Sequence, residues 1–428
     1  MKKIISVVLM TALAVSTVST AFSGGLSGIK SKSQSFTMWH FNKDEGPKMV
    51  EAFNEKYPNI KVNLSIVPDK DMQFQNKLSA AIKSGVGVPD IVPLESAFVK
   101  RFVNMENAMY DITEDVRYIT SDMYPYTLDV GKNKAGKLMA VSHQAEPMVV
   151  GYKRSVAKKY LGTDDSNKIS QMLSTPEKIL ATAKTLKTKS SGNVALFPSS
   201  EELFRFYLGA RKTGWVKNNT LVIDNKMLDF MDLSKKLRTN KYDRDFEQWS
   251  QEWAESIASD KSAMCWGIPV WGVPWILGSN DRKAQNGGRW GLAKPPYNNL
   301  WGGTWYGMTK NCTNKSAALT FLRFITSDKN HLKRWSTANQ DIPNSRSINK
   351  QRSADKDNIS IITGMNNEKI FSQAAESING KLMTEYDDTV EFYYWDALNK
   401  YLDGKLTRSK AISYFKDKVK ENMPIKVY

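Results

Sequence analysis

Phe36-Thr37-Met38-Trp39-His40-Phe41, Ile60-Lys61-Val62-Asn63-Leu64-Ser65-Ile66 and Asp90-Ile91-Val92-Pro93-Leu94 are three runs of β-favouring residues, and what lies between them decides the fold. The first run is stopped by Asn42-Lys43-Asp44. Met49, Val50, Phe53 and Tyr57 then share one helical face, which Pro58-Asn59 ends. Apolar and polar residues alternate through the second run, as a half-buried strand requires. Phe74, Leu78, Ala81 and Ile82 return to helical spacing before Gly85-Val86-Gly87. Strand, helix, strand, helix, strand with short connections predicts a parallel sheet flanked by helices.

The pattern changes on both sides of this unit. Gly136-Lys137-Leu138-Met139-Ala140-Val141 reads as a hairpin-like segment, and an apolar strand around Met148 to Tyr152 opens a second α/β unit. Helices are expected after Thr175-Pro176, after Ser200, through Leu228 to Leu237, and after Thr407. At the other end, Lys2-Lys3, the apolar run Ile4 to Val15 and the small residues Ser19-Thr20-Ala21 form a secretory signal peptide over 1–23. A Gly/Ser/Lys linker over 24–35 follows. No cysteine stands near the cleavage region to carry a lipid, and no later stretch approaches ~18 consecutive apolar residues.

The chain has 428 residues, 41% of them hydrophobic, which is enough for two or three packed cores. Its formal charge of +17 is spread among acids rather than blocked, as in Glu177 to Lys189, so a solvated basic surface is expected and not a nucleic-acid interface. Cys265 and Cys312 match no zinc or redox motif and are expected to be free, buried thiols. His40, His143 and His331 offer no metal-binding pair, and the sequence has neither a nucleophile elbow nor a phosphate-binding glycine loop. Neither a metal nor another cofactor is expected.

Aromatic residues are the informative surplus. Twelve tryptophans include Trp249/Trp253, Trp266/Trp271/Trp275, Trp301/Trp305 and the end of Phe392-Tyr393-Tyr394-Trp395. Indole N–H groups need partners when buried, whereas flat exposed rings suit the apolar faces of pyranoses. Trp249 and Trp253, four residues apart, are expected in a helix core. Trp271, in a Pro- and Gly-broken segment, and Trp305, beside Gly302-Gly303, are expected at an exposed site. The tetrad ending in Trp395 is too aromatic for one helix face to bury.

Eight segments in this order resemble the family 1 extracellular solute-binding proteins of ABC importers, the group containing maltose-binding protein. They are the opening strand with Trp39; Phe53 to Val62; Lys77-Leu78-Ser79-Ala80-Ala81 with Ser84-Gly85; Pro89-Asp90-Ile91; Gly136-Lys137-Leu138 with Glu146 and Tyr152; Lys261 to Met264; Ala318 with Phe321-Leu322; and Leu402 to Lys405. The resemblance runs from Phe36 to about Val419. It implies an α/β fold of two lobes, each a mainly parallel sheet flanked by helices, joined by a multi-strand hinge as in periplasmic binding proteins of type II. The first lobe would take 36–143 and 295–344, the second 144–294 and 345–428, with crossings near Ser142 to Ala145, Lys294 to Tyr297, and Asn344.

The resemblance further implies a ligand held between the lobes and presented to ABC transporter permease subunits in the membrane. Glu146 aligns with a cleft carboxylate of the family. Glu95, His40 and Asn42 follow first-lobe strands at the ends where open sheets bind ligands. Trp39, Trp271, Gly303, Trp305, Tyr394 and Trp395 complete the expected set. The expected function is binding of a carbohydrate, a sugar or oligosaccharide, by a monomeric periplasmic protein without a lipid anchor, or one secreted to the extracellular space. The usual Pro-x-Thr-Trp helix start is reduced to Ser174-Thr175-Pro176, so packing of the second lobe should differ there. The competing reading is a secreted carbohydrate-active enzyme, a glycosidase or polysaccharide lyase, and the basic balance keeps uronate ligands open.

Overall fold

The computed structural model describes residues 34–428. The expected signal peptide, and the linker up to residue 33, lie outside the described residues.

The described residues form ten strands: β1 Gln34–His40, β2 Ile60–Ile66, β3 Ile91–Glu95, β4 Ala140–Ser142, β5 Met148–Lys153, β6 Val216–Lys217, β7 Thr220–Leu221, β8 Cys265–Pro269, β9 Trp290–Ala293 and β10 Thr304–Met308. The first lobe is built on a five-stranded sheet in the order β2-β1-β3-β10-β4. β1 runs parallel to β2 and β3, as the opening stretch predicts, and β10 enters antiparallel between β3 and β4. Helix Glu45–Lys56 buries Met49 and Phe53, and helix Gln73–Ser84 buries Phe74 and Leu78. Phe53 and Phe36 both pack against Phe321 of helix Lys315–Ser327, so a helix from late in the chain closes the core of the first lobe.

The second lobe corrects one detail of the expectation. Its three-stranded sheet, β8-β5-β9, is antiparallel rather than mainly parallel. β5 enters this sheet from the hinge and β9 leads back towards it, so the two must run in opposite directions. Among the described residues, parallel pairing in this lobe survives in the isolated bridges Ala195 to Ala263, Phe197 to Asp243 and Thr220 to Lys426. Helices surround the sheet, among them Pro176–Lys189, where Thr175 accepts a hydrogen bond from the Lys178 amide and Pro176 takes the first turn, and Glu201–Ala210. Cys265 starts β8, whereas Cys312 packs in the first-lobe core; both are buried and free.

The hinge is a set of paired crossing segments. Ala145 N–H donates to Ile342 O (2.8 Å) and Asn344 N–H to His143 O (2.9 Å). The buried Asn344 side chain ties down two other chain segments, donating to Ser142 O (3.0 Å) and Thr127 Oγ1 (2.9 Å) and accepting from the Tyr124 amide (3.0 Å). The crossing back to the first lobe pairs at Pro147 and Leu300, with Met148 N–H on Asn299 O and Trp301 N–H on Glu146 O. Those bonds lie a few residues beyond the Lys294 to Tyr297 expected for this crossing. Among the described residues no helix is long and apolar enough to span a membrane.

Candidate functional site

Two cavities lie between the lobes, and another opens beside them on the second lobe. The hinge-side cavity, about 450 Å³, is lined by Asn42 and Glu45 of the first lobe, Gln144, Glu146 and Asp341 of the crossings, and Trp271. A second, about 410 Å³, is lined by Phe204, Arg205, Trp249, Glu391, Phe392 and Trp395. The third, about 240 Å³, places Glu95 across from Arg205, Arg211, Trp301, Asp387 and Glu391, and so shares Arg205 and Glu391 with the second.

A tryptophan cluster stands where the cavities meet. Trp271 and Trp249 lie nearly parallel, 6.2 Å between centroids and 10° between planes, and Trp301 packs edge-on against both at 5.3 and 5.8 Å. The Arg205 guanidinium sits 4.7 Å from the Trp301 ring. Trp271 is fixed by its backbone N–H on Glu146 Oε2 (3.4 Å) and its indole N–H on Trp301 O (3.0 Å). Gly302 makes this approach possible: its φ is +85°, and a Cβ there would lie 2.6 Å from Trp271 Nε1.

Trp249 reverses the sequence expectation. Helix Gln251–Ala258 starts after Ser250, whose hydroxyl caps the Trp253 amide, so Trp249 lies outside the helix at φ +74° and is 58% exposed. Trp253 is the core residue of the pair, its indole donating to Glu202 Oε1 (2.6 Å).

The expected site residues divide into two groups. Asn42, Glu95, Glu146, Trp271 and Trp395 line the cavities. His40, Trp305 and Tyr394 do not, because each points into a core. His40 continues the inward alternation of Phe36 and Met38 and contacts Tyr306 Oη at 3.0 Å. Trp305 lies in the first-lobe sheet with its indole N–H on Thr127 O (2.8 Å). Tyr394 donates to Met227 O (2.7 Å) beneath Trp395. Gly303 is buried, and its missing side chain would meet the Trp305 ring at 3.3 Å and Glu146 at 3.5 Å. Half-buried Trp39 packs on Phe74 under the Lys77 ammonium, away from these cavities. Trp249, Trp301, Arg205, Glu391 and Asp341 were not selected from the sequence. Only the count of tryptophans signalled the first two.

Burial governs the charges. It pushes the Glu95 carboxyl up, against hydrogen bonds from Ser96 Oγ (2.5 Å) and the Ala97 amide (2.7 Å) and the attraction of Arg205. Glu391 is pushed up to about 7 by burial and by Asp387, with Arg211 and Arg205 opposing. At the hinge, Glu146 is raised well above the carboxylate range by burial and by Asp341, with which it shares a hydrogen bond. Asp341 is pushed up to about 6 and Glu45 to about 7, both chiefly by burial. Among the described residues no group of His, Cys, Asp or Glu is disposed to hold a metal ion.

A family model described as bacterial extracellular solute-binding protein matches residues 48–359. The chain belongs to that family. An arabinooligosaccharide-binding protein of Bacillus subtilis (strain 168) is 26% identical over 232 residues, 53% of this chain. The match spans about half the length of that relative, 52%. A solved extracellular solute-binding protein of family 1 superposes with a TM-score of 0.81 at 16% identity, over 91% of this chain and 99% of the other. The galacto-N-biose-/lacto-N-biose I-binding protein of the ABC transporter from Bifidobacterium longum, in complex with lacto-N-biose, gives 0.71 at 18%, over 93% and 100%. The sugar-binding protein MalE of Xanthomonas citri gives 0.73 at 14%, over 91% and 97%. These solved structures share the two-lobed α/β fold with this solute-binding protein.

Proposed function

We propose that this solute-binding protein binds a sugar or oligosaccharide between its lobes and delivers it to the permease of an ABC importer, acting as a monomeric periplasmic receptor without catalysis. The observation that carries the reading is the cluster of Trp249, Trp271 and Trp301 with Arg205 at the meeting of three polar-walled cavities. Aromatic faces cover the apolar faces of pyranoses, and the carboxylates and guanidinium groups around them bond hydroxyls. Trp249, Trp271 and Trp395 supply the faces; Asn42, Glu95 and Glu146 supply polar contacts. Contacts from both lobes favour the closed form over the open one. The names of relatives that bind arabinooligosaccharides or lacto-N-biose support the ligand class.

The test is a tryptophan-fluorescence titration of the mature protein against mono- and oligosaccharides, sugar phosphates and polyamines. A saturable response to a sugar, with no new reducing ends or unsaturated uronates, is expected. A response confined to the other solutes refutes the ligand class. Turnover moves the protein to the carbohydrate-active enzymes.

A further inference from the structure

Three carboxyl groups converge on the hinge-side cavity, and no cation answers them. Glu45 comes from a first-lobe helix, Glu146 from one crossing and Asp341 from another. Among the described residues the single basic group within ion-pair distance of any of them is His143, whose Nε2 faces Glu45 Oε1 at 3.7 Å. That ring is 1% exposed, and neither nitrogen has a hydrogen-bond partner. Burial pushes its pKa down to about 3, so it brings no positive charge. Tyr306 and Tyr126 face the trio with neutral hydroxyls. Arg352 lies behind Asp341 and is taken by Glu368 (2.7 Å). Asp44 and Lys48 stand exposed at the rim.

The rest of the cleft is built differently. At its far end the carboxyls of Glu95, Asp387, Asp388 and Glu391 are answered by two guanidinium groups, Arg205 facing Glu95 and Glu391 and Arg211 facing Asp387 and Glu391. Uncompensated carboxyls in one buried cavity are costly, and here they stand in a protein of formal charge +17. The same cavity is walled by Trp271, Trp275 and Trp335, and indole faces attract cations. An ammonium group offers three N–H donors and no acceptor, which matches three carboxyl acceptors.

We propose that the hinge-side cavity receives an ammonium group, and that the sugar bound in the cleft is an amino sugar with a free amine. The inference rests on the sugar-binding reading and adds the chemistry of one end of the ligand. Glu146 and Asp341 sit on crossing segments while Glu45 belongs to the first lobe, so a cation held by all three also ties the hinge to the lobe it moves against.

Calorimetric titration of the mature protein with glucosamine, its β-1,4-linked disaccharide, the N-acetylated forms of both, glucose, cellobiose and spermidine tests it. A free-amine sugar should bind about ten- to hundredfold tighter than its N-acetylated and hydroxyl counterparts, the range for a hydrogen bond to a charged group. The isosteric variants Glu146→Gln and Glu45→Gln should each erase that preference. Amine binding should release protons, read from the dependence of heat on buffer ionisation enthalpy, because burial leaves Glu146 and Glu45 holding protons near neutrality until a cation arrives. Equal affinity for amine and N-acetyl forms overturns the proposal and leaves the sugar reading standing. Binding of spermidine but of no sugar keeps the ammonium site and refutes the sugar reading. Absence of binding by every amine overturns the ammonium site.

Discussion

Trp249→Gly separates a binding face from a structural one. The residue holds φ +74° with 58% of its surface exposed, and a left-handed conformation costs an L-residue roughly 1–2 kcal/mol. Glycine removes that cost but loses about 0.5–1 kcal/mol through its freer unfolded chain. The ring also gives up contacts with Trp253 at 5.1 Å and with Trp271 and Trp301. Each such pair is worth about 0.5–1.5 kcal/mol when buried, and less on so exposed a ring. The terms nearly cancel, so the ligand-free variant should melt within about 4 °C of the parent. Loss of a central aromatic anchor costs about 2 kcal/mol or more in binding, roughly thirtyfold in affinity. Differential scanning fluorimetry without ligand, and fluorescence titration with the best ligand of the panel, measure the two quantities independently. A variant that melts far below the parent yet binds normally would place Trp249 among the packing residues and refute the reasoning.

Asn344→Ala should do the reverse. It removes three buried hydrogen bonds at the hinge and orphans the Tyr124 amide and Ser142 carbonyl, so denaturant unfolding should show a loss of about 2–4 kcal/mol. Glu45→Gln should raise thermal stability at pH 8 and change it little below pH 4.5. Glu45 is raised from the ordinary 4.5 to about 7 on folding, so the native state holds a proton that the unfolded state gives up, and stability falls as pH rises through that window. An offset independent of pH would contradict this. Thiol titration of the unreduced protein should find two groups after unfolding and almost none before. Burial pushes the Cys312 thiol up to about 12 and Cys265 higher still, and the two sit in different lobes.

Much of the fold could be read directly. The alternation of Ile60, Val62, Leu64 and Ile66, the helical face of Met49 and Phe53, and the cap at Thr175-Pro176 are local patterns, and local patterns survive folding intact. The lining of the candidate cavities was legible where backbone breaks forced a residue out of regular structure, as with Trp271 in its Pro- and Gly-rich segment. It was misread at His40 and Trp305. Residues at the ends of strands alternate in direction, and the direction is set by which face the sheet buries.

By itself the sequence determined the order of strands and helices, the two α/β units and the surplus of tryptophan, because these follow from spacing along one chain. Tertiary structure alone decided that Trp249 leaves its helix and stacks beside Trp271, that Arg205 covers Trp301, and that Glu45, Glu146 and Asp341 share one cavity. Those residues are separated by tens to hundreds of positions and no periodicity links them. Their meeting depends on how the chain crosses the hinge, and the charge that each carries depends on the solvent that this crossing excludes.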